Sequence, residues 1–203
     1  MVLNDLEIRE RIAFENLIAI PNKTYASDPD MFEASIQPGS YDLTLSDSFK
    51  KIMKRDCIYP NKAYVELNEP LEYVDLPYKT EQYEGIIIHP GEFILASSQE
   101  IVKLPNDISA IVTGRSSIGR AGIDVVLGNW IDAGYIGTVT LQLHNCGPNP
   151  IRLTKGLRIA QLVFLKMTAS AEKPYHGKYM NSMGAAESRI YEDFKDESVI
   201  EHV

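Results

Sequence analysis

Apolar and polar residues alternate with period two along Tyr41-Asp42-Leu43-Thr44-Leu45, Val139-Thr140-Leu141-Gln142-Leu143 and Ile151-Arg152-Leu153. That period places successive side chains on opposite faces of a strand. Ile86-Ile87-Ile88 and Leu162-Val163-Phe164-Leu165 are unbroken apolar runs, which predicts strands covered on both faces. Pro90-Gly91, Pro105-Asn106-Asp107, Cys146-Gly147-Pro148-Asn149-Pro150 and Lys155-Gly156 read as turns between such runs. Helical periodicity is confined to the front. There Asn4 or Asp5 caps a predicted helix to about Phe14, with Leu6, Ile8 and Ile12 toward one side. The 13 Gly and 11 Pro fall between short runs rich in Val, Ile, Tyr and Thr, the punctuation of an all-β domain. The expected fold is mainly all-β, a distorted β barrel or jelly roll. Its strands fill residues 15–170, and 1–170 form one domain with a short N-terminal helix. From Ala171 the strand pattern stops, and 171–203 read as an arm, partly helical near its end, that needs another surface to settle on.

Charge and composition narrow the partners. Lys plus Arg number 20 and Asp plus Glu 28, a net charge of -8, which runs against general nucleic-acid binding. No apolar run approaches the ~20 residues of a membrane span, so no membrane partner is expected. The first residues carry acids among their apolar positions, unlike a signal peptide. Two cysteines, Cys57 and Cys146, cannot build a disulfide framework, and the expected setting is the reducing cytoplasm.

Gly114-Arg115-Ser116-Ser117-Ile118-Gly119-Arg120-Ala121-Gly122 is the densest polar stretch. Its guanidinium forks, hydroxyls and unhindered backbone N–H groups suit a polyphosphate. It lacks the Gly-Lys-Ser/Thr of a P-loop, and a polar turn with two solvated arginines is the other reading. Apolar runs flank Gly128-Asn129, so a β-hairpin is plausible, its tip exposing backbone groups able to read the edge of a planar base. Asp132 follows the tip, where it is either a water-orienting carboxylate or an ordinary turn residue.

Three stretches in this order carry a resemblance: Gly-Arg-Ser-Ser-Ile-Gly-Arg from Gly114, Gly-Asn-Trp-Ile-Asp-Ala-Gly-Tyr-Ile-Gly from Gly128, and Gly-Leu-Arg-Ile-Ala-Gln-Leu-Val-Phe from Gly156. Together they resemble the superfamily of dCTP deaminases and trimeric dUTPases. Ile36-Gln37-Pro38-Gly39-Ser40-Tyr41-Asp42-Leu43 is similar to its first motif in the deaminase style. Lys178-Tyr179, Gly184 and Ser188-Arg189-Ile190-Tyr191 resemble the deaminase tail. The likeness runs from about 36 to 194. It implies a dUTPase-like β barrel that forms a homotrimer, with active sites at subunit interfaces and a deoxynucleoside triphosphate as substrate. It also implies roles. Arg115, Ser117 and Arg120 would meet the triphosphate, Ser116 would hold a water or a phosphate oxygen, and Tyr175 and Lys178 would close the arm over them as a lid. Leu127 and Gly128 would read the pyrimidine through their backbone. Asp132 would contact the 3'-hydroxyl or the catalytic water. Tyr135 would stack under the sugar. Trp130 would pack over the base or against a neighbouring subunit, and Gln161 would bind nucleotide or serve the strand alone. Mg²⁺ would ride on the triphosphate, with no protein metal site.

One position departs from the pattern. Deaminases of this family carry a glutamate ten residues after the aspartate, and Gln142 stands there. Replacing an amino group on the ring needs a side chain that gains and loses a proton, which an amide does not do near neutral pH. The family's chemistry has no zinc to fall back on, and His89, His144, His176 and His202 lack zinc-deaminase signatures. Pyrophosphate release asks mainly for positioning and charge neutralisation. The favoured reading from sequence is therefore a dUTP diphosphatase. The alternatives are a dCTP deaminase, acting to dUTP or through to dUMP, including a form inactivated by Glu-to-Gln exchange, and a non-catalytic nucleotide sensor. The stretch from Lys50 to Glu84 resembles the family least and reads as an insertion whose tyrosines pack strands and loops.

Overall fold

The structure is a computed structural model and describes residues 1–21, 23, 26–53, 65–81, 84–125, 128 and 130–195. Helix α1 spans Asp5–Glu15. Asn4 is its N-cap: the Asn4 side chain accepts from the Glu7 N–H at 2.9 Å, and the Asn4 N–H donates to the Glu7 carboxylate. That reciprocal pair satisfies two donors that a helix start leaves open. Ile8 and Ile12, one turn apart, are fully buried. Leu6 departs from the expectation and is 62% exposed, because a residue two positions before Ile8 lies on the far side of the helix. Strand β1 is Ile18–Ala19, helix α2 Pro29–Glu33, and β2 Ile36–Gln37. Then come β3 (Ser40–Ile52), β4 (Tyr73–Asp75), β5 (Ile86–Ile88), β6 (Phe93–Lys103) and β7 (Ile108–Gly114). Helix α3 (Ser116–Arg120) precedes β8 (Ile123–Asp124), β9 (Trp130–Ile131), β10 (Ile136–Asn145), β11 (Ile151–Leu153) and β12 (Arg158–Lys166).

Ten strands form one sheet whose path runs β8-β10-β6-β3-β12-β7-β9, with β1, β2 and β4 paired alongside. β5 and β11 make a second, two-stranded sheet. The two ends of the main path, β8 and β9, are joined by a short stretch of chain. Trp130 lies six residue steps beyond Asp124, and at ~3.3–3.6 Å each these reach only about 20 Å. The sheet must curl until its edges nearly meet, which makes the barrel-like all-β fold. This connection corrects the expected hairpin around Gly128. β8 pairs with β10 and β9 pairs with β7, so the flanking strands pair with opposite ends of the sheet, not with each other.

Burial follows the strand period on β10. Val139, Leu141 and Leu143 are buried in the core, while Thr140 and Gln142 lie on the other face. Leu162-Val163-Phe164-Leu165, expected to be covered on both faces, alternates instead: Leu162 and Phe164 are fully buried, Val163 and Leu165 only partly. On β3 the polar position Asp42 is as buried as its apolar neighbours, so this strand is covered on both faces. No helix among the described residues is long and apolar enough to cross a membrane.

The core also holds an acid. Glu100 on β6 is 1% exposed and accepts from the Thr44 N–H and from Thr44 Oγ1 at 2.6 Å. Burial pushes its carboxyl from 4.5 up to about 7, against those hydrogen bonds. The folded state therefore binds more protons than the unfolded chain between those values. Stability should fall as pH rises from about 4.5 to about 7, by about 3 kcal/mol for this group, and level off above. Denaturant unfolding at pH 5 and pH 8 checks this: Glu100→Gln should flatten the dependence, and an unchanged difference would assign it elsewhere.

Candidate active site

A cavity of about 740 Å³ opens where β9, β10 and the arm meet. Gly128, Trp130, Asp132, Tyr135 and Gln142 line it, with Thr140 beside them. Thr140 and Gln142 point there because they share the non-core face of β10. The arm supplies Tyr175, Tyr179, Ser182, Ala186, Glu187 and Ser188, and Tyr73 of β4 completes one side.

The Asp132 backbone is held at both flanks. β9 pairs Ile131 with Ala110 before it, and the Tyr135 N–H donates to the Asp132 carbonyl after it. Its carboxylate accepts from Trp130 Nε1 at 2.7 Å. Gln142 Oε1 accepts from the Gly128 N–H at 3.5 Å, at the limit of a hydrogen bond. Tyr135 donates its hydroxyl to the Thr138 carbonyl at 2.7 Å, and burial pushes that phenol up to about 12. Its ring meets Tyr175 at 5.9 Å between centroids.

The arm lies along the barrel. The Tyr175 N–H donates to the Ala133 carbonyl, Asn181 to Ile136, Ala185 to Ser48 Oγ, Ala186 to Thr140 Oγ1 and Ser188 to the Tyr73 hydroxyl. Gly134 makes this approach feasible. Its φ is +88°, and a Cβ there would fall 2.6 Å from Pro174 Cβ. Gly134→Ala adds left-handed strain and that clash, together about 1–3 kcal/mol. The expected result is a loss of roughly 3–10 °C in Tm and faster proteolysis of the arm. Unchanged cleavage would show that the crossing does not seat it.

The structure groups the remaining residues expected at the site elsewhere. Arg115, Ser116, Ser117, Arg120 and Gln161 do not line the cavity. Arg115 sits at the start of α3, its Nε 3.3 Å from the buried Asp42 carboxylate and its Nη1 donating to the Arg158 carbonyl. Gln161 donates to the same Asp42 and to Ser40 Oγ, both at 3.3 Å. Ser116, Ser117 and Arg120 are exposed on α3. Lys178 lines a second cavity of about 770 Å³ that shares Tyr175 and Tyr179 with the first. There it pairs with Asp193 at 2.6 Å, which raises its pKa. Leu127, like Cys57, lies outside the described residues.

Sequence reasoning missed several participants. Thr140 was legible as the same-face neighbour of Gln142. Tyr73 was read as packing, yet it lines the cavity and steadies the arm; Tyr78 does pack, stacking on Phe49 at 6.2 Å. Tyr179 was legible only as part of the tail motif, and Glu187 carried no local signal, because only the path of the arm brings it in.

A family model described as dCTP deaminase-like matches residues 2–167. The chain belongs to this family. Within it, the dCTP deaminase, dUMP-forming, of Persephonella marina is 39% identical over 194 residues, covering 95% of this chain and 99% of its own. The protein of the same name from Methanosphaera stadtmanae is 45% identical over 175 residues, 82% of this chain and 86% of its own. The dCTP deaminase of Natronomonas pharaonis is 38% identical over 200 residues, 95% and 96%. Among solved structures, the 2'-deoxycytidine 5'-triphosphate deaminase from Agrobacterium tumefaciens shares the fold. Its TM-score is 0.56 at 24% identity, over 80% of this chain and 46% of that one. These relatives favour the deaminase alternative over the dUTP diphosphatase that Gln142 suggested.

Proposed function

We propose that the chain forms dUMP from deoxypyrimidine triphosphates, taking dCTP with loss of ammonia and pyrophosphate and dUTP with loss of pyrophosphate alone. Near full-length similarity to dUMP-forming dCTP deaminases carries this reading. The cavity chemistry agrees with it. A backbone-anchored carboxylate, Asp132, faces a space large enough for a nucleotide, with Tyr135 available under the sugar and the Gly128 N–H near the base. Attack of water on the α-phosphorus asks for positioning, which Asp132 supplies. The ring step needs a proton carrier, and Gln142 is not one. Among the described lining residues, Asp132 and Glu187 are the carboxylates able to take that task, and Glu187 is paired with Lys50 at 2.7 Å. Deamination is therefore the slow step of this chain.

The phosphate-binding side is supplied by a second copy. Ser116, Ser117 and Arg120 of α3 are exposed and lie outside the lining of their own cavity, so a homotrimer with shared sites would bring α3 of one subunit to the cavity of the next. Mg²⁺ would be carried by the triphosphate and neutralise its charge.

A dUTP diphosphatase without deamination is the second reading, favoured by Gln142 alone. Ammonia assays on dCTP separate the two: sustained release supports the first, and pyrophosphate from dUTP without ammonia from dCTP supports the second. Tight binding of both without turnover would leave a sensor.

A further inference from the structure

Trp130 and Asp132 stand two residues apart along the chain that leaves β9. That spacing projects both side chains to one side. The indole Nε1 donates to Asp132 Oδ1 at 2.7 Å, a charge-assisted length, although the tryptophan is 55% exposed. The Asp132 backbone is already fixed by the β7–β9 pairing on one side and by the Tyr135 N–H on the other. Only the side-chain torsions of an exposed carboxylate remain free, and the indole removes that freedom. An indole N–H donates and never accepts, so it leaves Oδ2 as an acceptor for one more partner.

We infer that Trp130 is a positioning residue that aims the Asp132 carboxylate at its water or sugar hydroxyl. The inference rests on the role given to Asp132 above. It assigns the exposed ring a task other than packing over the base: the ring holds a preformed geometry for the step that releases pyrophosphate. Phenylalanine would keep most of the apolar surface and lose the donor. Histidine would keep a ring N–H.

The test uses the full-length protein with dUTP and Mg²⁺. Trp130→Phe should lower kcat by roughly tenfold to a hundredfold, the span of one hydrogen bond to a charged group, with KM changed less than about threefold. Trp130→His should recover part of the loss. If Trp130→Phe raises KM and spares kcat, the ring is a platform for the base. If histidine does no better than phenylalanine, the donor is irrelevant. Either result overturns the inference. A second readout is independent of turnover. Trp130 is the chain's one tryptophan, so its emission reports this site alone. Asp132→Ala, which removes the acceptor, should shift that emission in the nucleotide-free protein, and identical spectra would show that no bond joins the two. Should the wild type turn over neither dUTP nor dCTP, the proposed function falls, while the emission comparison still decides the pair.

Discussion

Gln142→Glu should raise ammonia release from dCTP by about 10²–10⁴-fold, the usual worth of a positioned general acid/base. Position 142 lies on the cavity face of β10, beside Thr140 and near the Gly128 N–H. A carboxylate there would take a proton from water and hand it to the ring nitrogen and the departing amine. The amide now present holds its place and moves no proton. The exchange is nearly isosteric and the site is half-buried, so the fold should tolerate it. Release of pyrophosphate from dUTP should change far less, because that step is the one proposed for Asp132. A side-by-side ammonia assay of the two proteins reads the effect directly. Equal rates would mean that position 142 does not face the cytosine ring.

Asp132→Asn should lower dUMP formation from both nucleotides by at least about 10²-fold. The carboxylate is exposed in the cavity and its packing partners are few, so stability should be nearly unaffected. Asparagine can still accept from Trp130, so the side chain keeps its direction and loses only its charge and basicity. Thermal melting alongside the rate measurement distinguishes a chemical loss from an unfolding one. Full activity in a folded variant would place the water on another group.

The fold was largely legible because its signals are local. The alternation in Val139–Leu143, the turn at Lys155-Gly156 and the Asn4 cap each state their own geometry. The hairpin expectation failed for a physical reason. Chain proximity suggested that the strands around Gly128 pair with each other, but closure of the sheet makes each pair with a different edge. The site was legible in part. Asp132, Trp130, Tyr135 and Gln142 gather as the motifs suggested, whereas Arg115 and Gln161 gather around the buried Asp42 instead. Asp42 looked like the solvent-facing member of an alternating strand, and nothing in its immediate sequence marks the second covered face. Glu100 escaped notice likewise, since burial of one acid among serines and a glutamine depends on which strands cover β6.

Formation of dUMP in this cavity has a direct readout. The most direct measurement incubates the purified wild-type protein with dCTP and with dUTP in Mg²⁺ and follows dUMP, pyrophosphate and ammonia together. The expected result is dUMP with equimolar pyrophosphate from both nucleotides, faster from dUTP, and ammonia equal to dUMP from dCTP alone. Absence of dUMP and pyrophosphate from both would contradict it.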